Sequence, residues 1–330
     1  MICDFITDHK QRFGVYPICR TLTSHGVKIA PSTYYAHLKR APSKRALSDL
    51  VIVGVLAELY QPWIDQQGRK RKHRESLYGT VKMWAHLNRE GVQVAKCTVE
   101  RLKRVNGWEG VRRTNRVRTT QSDPEAKRAA DLVDRDFTAS APNELTVADF
   151  TYVRLATGQF AYTAFVIDAF AGLIPGWECS LVKDTSFVEK ALRQASGYRA
   201  RIGDPMLGDT IHHNDAGSQY TAIRFTETLA LEGLIPSIGT VGDALDNALA
   251  ETTIGLYKTE CIRADSPFRL GPIQTLADLE EITSAWVHWY NNHRLLHRIG
   301  CIPPAEAEAT HYAEHCDHKP VAALKQTSVH

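Results

Sequence analysis

The segment LTVADFTYVRL, residues 145–155, constrains the fold most, because it places an aspartate, Asp149, inside a run of β-branched, aromatic and small residues. Such a run folds as a strand, and a carboxylate within it is costly to bury unless a cation or hydrogen bonds compensate it. A metal ion meets that need. Asp215 follows the short stretch Thr210 to His213 and precedes Ala216-Gly217-Ser218. That order predicts the carboxyl end of a strand, where open α/β sheets hold ligands. Glu251, separated from Asp215 by 35 intervening residues and lying in GDALDNALAETTIGLYKTE, falls on a predicted helix capped by Asp246. Asn247, Glu251 and Lys258 then share one helix face, which sets a carboxylate beside a phosphate-seeking amine.

Three carboxylates suit phosphodiester chemistry, in which two Mg²⁺ ions about 4 Å apart activate the attacking oxygen and stabilise the leaving one. The bland alternative is three ordinary acids among 37, and their local contexts outweigh it. His212 and His213 are assigned no catalytic role, since Mg²⁺ prefers oxygen. Asp168 is read as structural. His311, His315 and His318 stand at helical spacing beside Cys316 without a second ligand cluster.

Charge divides the chain. Residues 66–120 hold 15 Lys/Arg and 4 Asp/Glu, a local +11, residues 121–330 hold 17 and 28, a local −11, and residues 1–65 hold 8 and 5. A basic front and an acidic rear indicate a DNA-binding half joined to a metal-binding half. Two front segments read as helix, glycine turn, helix: Ile18 to Arg40 around Gly26, and Tyr78 to Arg104 around Gly91. Aligning GVKIAPSTYYAHLKR with GVQVAKCTVERLKR sets Gly26 on Gly91 and Thr33 on Thr98, as in a tandem pair of helix-turn-helix units. A helical bundle without groove contact is the plain alternative. The expected DNA contacts are Arg69, Lys70, Arg71, Lys72, Lys96, Thr98, Arg101, Arg104, Arg112 and Arg113, with Asn247, Lys258 and Arg294 behind. Arg294, like His297 and Arg298, follows a long helix where the chain is expected to be exposed.

The expected organisation is an N-terminal helical, helix-turn-helix-like region (1–65), a basic helix-turn-helix region (66–120), a linker (121–140) containing a polar helix from Glu125 to Asp136, a catalytic core with a closing helix (141–310) and a tail (311–330). Within the core, strands are expected over Leu145 to Leu155, Phe160 to Asp168 and Leu173 to Leu181, then a helix over Thr185 to Tyr198, a strand at Ile211, a helix over Ser218 to Glu232, an edge strand over Ile235 to Ile238, and the closing helix over Thr275 to Asn292. Trp286, Trp289 and Tyr290 read as core. Seven cysteines without a CxxC pair argue against a zinc ribbon or a disulfide framework. No apolar run reaches the roughly 18 residues that span a bilayer, so a cytoplasmic, nucleoid-associated protein is expected.

Taken together, Tyr78-Gly79, ADFTYV, HHNDAGSQYT, GDALDNALAE and WYNNHRLLHRIGCIPPAE resemble, in this order, the second-frame transposases of bacterial insertion sequences, which carry a retroviral-integrase-like core. The resemblance covers nearly the whole chain. It implies an α/β, ribonuclease-H-like mixed sheet with flanking helices behind a helix-turn-helix region, and Asp149, Asp215 and Glu251 as the acidic triad of a DDE polynucleotidyl transferase. It also implies Lys258 at element-end DNA, two Mg²⁺ ions with Mn²⁺ as substitute, element-end and target DNA as partners, a homo-oligomer on that DNA, and a frameshift fusion with the upstream-frame product. Thr146, Asn214, Ala216 and Leu245 depart from the family's usual residues at their positions, though none of them is a metal ligand. These departures keep open a silent regulator that occupies element ends; a plain ribonuclease-H-like nuclease is the other rival, against which the +11 segment argues.

Overall fold

Gly14, between two amphipathic stretches, has a positive φ of 77°, and the chain turns there from α1 (Ile2–Phe13) into α2 (Val15–Ser24). The computed structural model describes residues 1–112, 131–133, 136–206, 208–214, 223–238 and 247–315. It divides into two units, Met1–Leu56 and Ala57–His330. In the first, α1 and α2 pack with α3 (Pro31–Lys39), and α4 (Lys44–Tyr60) begins. Proline opens α3, where its missing N–H costs nothing and its fixed φ suits the helix. Ile6, Ile18, Cys19 and Tyr34 form a small core with Val15, Leu22 and Ile29 against it. The Tyr34 hydroxyl meets Thr7 Oγ1 at 3.2 Å.

The second unit opens with a hairpin of β1 (Trp63–Ile64) and β2 (Lys70–Arg71), followed by α5 (Thr80–Arg89) and α6 (Lys96–Val105). The helix-turn-helix expectation holds at both places. Gly26 and Gly91 have φ of 90° and 83°, conformations that a side chain disfavours.

Next comes the sheet. β3 (Leu145–Arg154), β4 (Phe160–Asp168) and β5 (Gly176–Ser180) form an antiparallel meander. α7 (Thr185–Arg201) then crosses over to β6 (Ile211–Asn214), which runs parallel to β3, and α8 (Ile223–Leu231) leads to β7 (Ile235–Ile238), parallel to β6. The spatial order is β5-β4-β3-β6-β7. On one face, Ala148, Ala164 and Val166 meet Phe187, Val188, Leu192, Phe225 and Leu229. α7 lies so close to β5 that a Cβ on Gly176 would stand 2.1 Å from Ala191 O, so only glycine fits. The other face is covered by α9 (Ala248–Tyr257), which continues as a π-helical turn over Lys258–Ile262, and by α10 (Leu276–Asn292). There Phe165 packs edge-on to Tyr257 and Trp286, each buried ring adding roughly 2–3 kcal/mol. Trp286, Trp289 and Tyr290 are core, as the sequence predicts. Thr275 caps α10 through a reciprocal box with Asp278.

α11 (Pro304–His315) is fastened by charge. Arg199 of α7 reaches Glu308 at 2.7 Å and Asp168 at 2.8 Å, all three buried. Tyr312 donates to Asp204 at 2.6 Å, so the expected boundary between core and tail at 310/311 falls inside a packed helix. Of the polar helix expected from Glu125 to Asp136, residues 125–130 and 134–135 lie outside the described residues, while 131–133 and 136 are described and are not helical; His318 and Cys316 lie outside the described residues altogether.

Candidate active site

Among the described residues, β6 pairs with β3 from Leu145 to Ala148, the last pair being Ala148 with Asn214, while β4 accompanies β3 to Arg154. Asp149 is the next residue of β3, half-buried, with its Oδ1 accepting the Phe150 N–H at 2.7 Å. It shares a register position with Phe165 and hence the sheet face that α9 and α10 cover. Asp215 follows Asn214 directly in sequence and lies outside the described residues.

Two contacts fix α9 along this part of β3. At its start, the Asn247 side chain donates from Nδ2 to Ala148 O at 3.0 Å. Past its end, Lys258 Nζ sits 4.9 Å from the Tyr152 ring centroid. Glu251 lies one turn after Asn247 on the same stripe, half-buried, with its N–H bonded to Asn247 O at 3.0 Å. The contacts at Ala148 and Tyr152 thus bracket Asp149 on the strand, and those at Asn247 and Lys258 bracket Glu251 on the helix. Two half-buried carboxylates on one sheet face are an oxygen-rich donor pair fitted to a hard divalent cation. Among the described residues, no group of three or more metal-ligating side chains occurs.

Several expected contacts take other roles. Asn247 is almost fully buried and holds the helix to the strand, so it is a positioning residue rather than an exposed DNA contact. Arg294 is a second correction. It is 3 % exposed and forms a forked pair with Glu260, with contacts of 2.6 and 2.9 Å. The chain turns inward after α10 because Arg294 N bonds back to Trp289 O. Arg298 donates to Ala169 O and Phe170 O. The basic run 69–72 sits on and beside the β1–β2 hairpin, not on a helix. Arg69 and Arg71 both bind Asp65; burial would raise the pKa of that carboxyl, but the Arg69 N–H and both arginine side chains hold it at about 2. Lys72 donates to Asp265 O and Lys70 is exposed. On α6, Lys96 and Arg104 are exposed and Thr98 and Arg101 half-buried, with Arg104 paired to Glu100. Lys103, on the same helix, is buried and donates to Tyr78 O at 2.9 Å. Arg112 pairs with Glu109 at the surface, and Arg113 lies outside the described residues. His212 is wholly buried, bonded to Thr146 Oγ1 at 2.9 Å, and burial pushes its pKa down to about 3. Tyr152 and Glu260 are the partners that sequence reasoning missed; Tyr152 stands three residues after Asp149, on the opposite face by strand alternation, so its spacing gave no signal of a contact with Lys258.

An integrase-type core behind a helix-turn-helix region is the class that this architecture defines. Family models for an integrase core domain match residues 139–244 and 232–304, and one for an HTH-like domain matches 67–116. A putative transposase for the insertion sequence element IS986/IS6110 of Mycobacterium tuberculosis is 48% identical over 286 residues, 87% of this chain and 97% of that protein. The transposase for the element IS629 of Shigella sonnei is 42% identical over 307 residues, 92% and 94% of the two chains. The chain belongs to the insertion-sequence transposases with an integrase core. Among solved structures, the HTLV-2 integrase catalytic core domain in complex with magnesium aligns over 51% of this chain and 98% of that one, at 16% identity and a TM-score of 0.38, a likeness too weak to carry an argument. No helix among the described residues is long and apolar enough to cross a membrane.

Proposed function

We propose that this transposase carries out metal-dependent 3′-end cleavage and strand transfer of DNA with Asp149, Asp215 and Glu251 as its acidic triad. The observation that supports it best is the Asn247–Ala148 hydrogen bond, which sets Glu251's helix against the strand of Asp149, while Asn214, which precedes Asp215, pairs beside Asp149's neighbour Ala148. Two Mg²⁺ ions, or Mn²⁺, held by these carboxylates would supply activation of the attacking oxygen and charge stabilisation of the leaving one. The protein's own part is positioning. The Phe150 N–H fixes the Asp149 carboxylate, Asn247 fixes the pitch of α9, and Lys258, braced on Tyr152, is a point charge for a phosphate of the element end. Water attacks in cleavage and a 3′ hydroxyl in transfer, both as in-line displacements without a covalent enzyme intermediate.

The remaining assignments follow the same reading. The substrates are element ends and target DNA, the working form is a homo-oligomer or a fusion with the upstream-frame product, and the compartment is the nucleoid-bearing cytoplasm. Residues 66–120 serve DNA recognition, 141–310 the chemistry. The test is joining of pre-nicked element-end duplex to target DNA with Mg²⁺ or Mn²⁺, by the chain alone and fused to its upstream frame. Product that disappears in Glu251→Gln, with DNA binding intact, supports the triad; unchanged joining in that variant sinks it. Binding without joining in every form makes the protein a silent regulator, and cleavage without joining makes it a plain nuclease.

A further inference from the structure

The two helix-turn-helix units share one backbone at a constant offset of 65 residues. α2 and α5 span Val15–Ser24 and Thr80–Arg89, and α3 and α6 begin at Pro31 and Lys96. The bonds of the turn repeat in the same register: Val27 N to Leu22 O at 2.9 Å against Val92 N to Leu87 O at 2.8 Å, and Gly26 N to Thr23 O against Gly91 N to Asn88 O, both 3.1 Å. Entry into the second helix repeats as well, with Thr33 N to Ala30 O and Thr98 N to Ala95 O both at 3.0 Å.

We infer that Met1–Leu56 is a second double-stranded-DNA-binding module, with α3 as its major-groove helix. Charge complementarity carries the assignment. Residues 9–48 contain eight Lys/Arg and no Asp/Glu, so the whole turn and second helix present one sign to a polyanion. Only Tyr34 of α3 is buried; Ser32 and Thr33 at its start, where recognition helices read bases, are exposed, as are Lys28, Lys39 and Arg40. The partner is duplex DNA at a stretch separate from the one met by α6, so one chain grips an element end at two points. The inference rests on the DNA-acting reading above, yet fails separately from it, because Glu251→Gln reports on chemistry and the variant below on the footprint.

The test uses the full chain in EDTA with two fluorescent 40-base-pair duplexes, one carrying the end of the element that encodes the chain and one unrelated. A triple variant, Lys28→Ala with Lys39→Ala and Arg40→Ala, alters exposed side chains only. Its log–log salt slope of binding is expected to be shallower by about 2.7, three phosphate contacts at about 0.9 each, and its hydroxyl-radical footprint on the element end to lose one block and keep the other. The charge-keeping variant Lys28→Arg, Lys39→Arg, Arg40→Lys restores the slope. An unchanged slope and footprint in the alanine variant overturns the inference, as does a variant whose only defect is altered self-association of the DNA-free protein, which would make α3 a protein-docking face.

Discussion

Asp149 and Asp168 are both strand aspartates of one meander, and the structure treats them oppositely. Asp168 is fully buried and receives the Asn143 N–H at 2.8 Å, the Phe170 N–H at 2.9 Å and the Arg199 guanidinium at 2.8 Å. Asp149 is half-buried, accepts the Phe150 N–H at 2.7 Å and lies on the sheet face that α9, the helix bearing Glu251, covers. The difference teaches that two aspartates of one meander can be held quite differently, one shut in the interior against a cation of the fold and the other left half-buried beside a second carboxylate-bearing helix. Burying an acid beside arginine adds little net stability, but removing the arginine strands the charge.

The largest expected effect strikes the open carboxylate. Asp149→Asn lowers strand joining roughly ten-thousandfold, about 5.5 kcal/mol of barrier, with the thermal midpoint unchanged or raised. Equal loss of joining and of folded protein would erase the contrast with Asp168. The mirror experiment is Arg199→Met, which leaves Asp168 and Glu308 buried without their cation and costs about 3–5 kcal/mol of stability in denaturant titration. Joining per folded molecule stays at the wild-type level; a variant as stable as wild type would show that Arg199 with Asp168 and Glu308 is not the latch of α11.

Where these acids stand in the fold was partly legible in sequence. The β-branched run around Asp149, the short strand before Asp215 and the helical spacing of Asn247, Glu251 and Lys258 are local patterns, and the elements follow them: β4 and β7 lie where the residues predict, and α10 starts one residue late because Thr275 is its cap. Pairings across long separations were not legible. Arg294 finds Glu260 34 residues back and Arg199 finds Glu308 109 residues on, and nothing in the flanking residues announces either partner. Lys103 reads as a basic helix residue, and only the carbonyl of Tyr78, 25 residues away, explains its burial. Arg69 and Arg71 looked like an unbroken basic patch because the hairpin that folds both onto Asp65 is only two residues per strand.

A smaller effect sharpens the open side of the comparison. Lys258→Ala removes the charge braced on Tyr152 and is expected to slow joining about ten- to a hundredfold, roughly 1.4–2.7 kcal/mol, mostly by weakening use of the element end. Tyr152→Leu, which removes only the ring's face, should give a fraction of that loss. If Tyr152→Leu is as damaging as Lys258→Ala, the strand and not the amine is what the site needs.

The change that is smallest per pH unit probes the closed side. Thr146 pairs with Asp168 on β4 and with His212 on β6, so these three form one buried row across the sheet. His212 has its pKa pushed by burial from 6.5 to about 3, which keeps it neutral in the folded protein. The unfolded chain takes up a proton below pH 6.5 and the folded chain does not, so this contribution to stability is complete above 6.5 and is lost as the pH falls toward 3. Across that window the loss approaches about 1.4 kcal/mol per pH unit. His212→Gln cannot titrate, so its stability should fall with acid less steeply than wild type by that amount, whatever its stability at neutral pH. Parallel curves for the two proteins would mean that water reaches the row, and that Asp168 is less shut away than its contacts with Arg199 and the backbone imply.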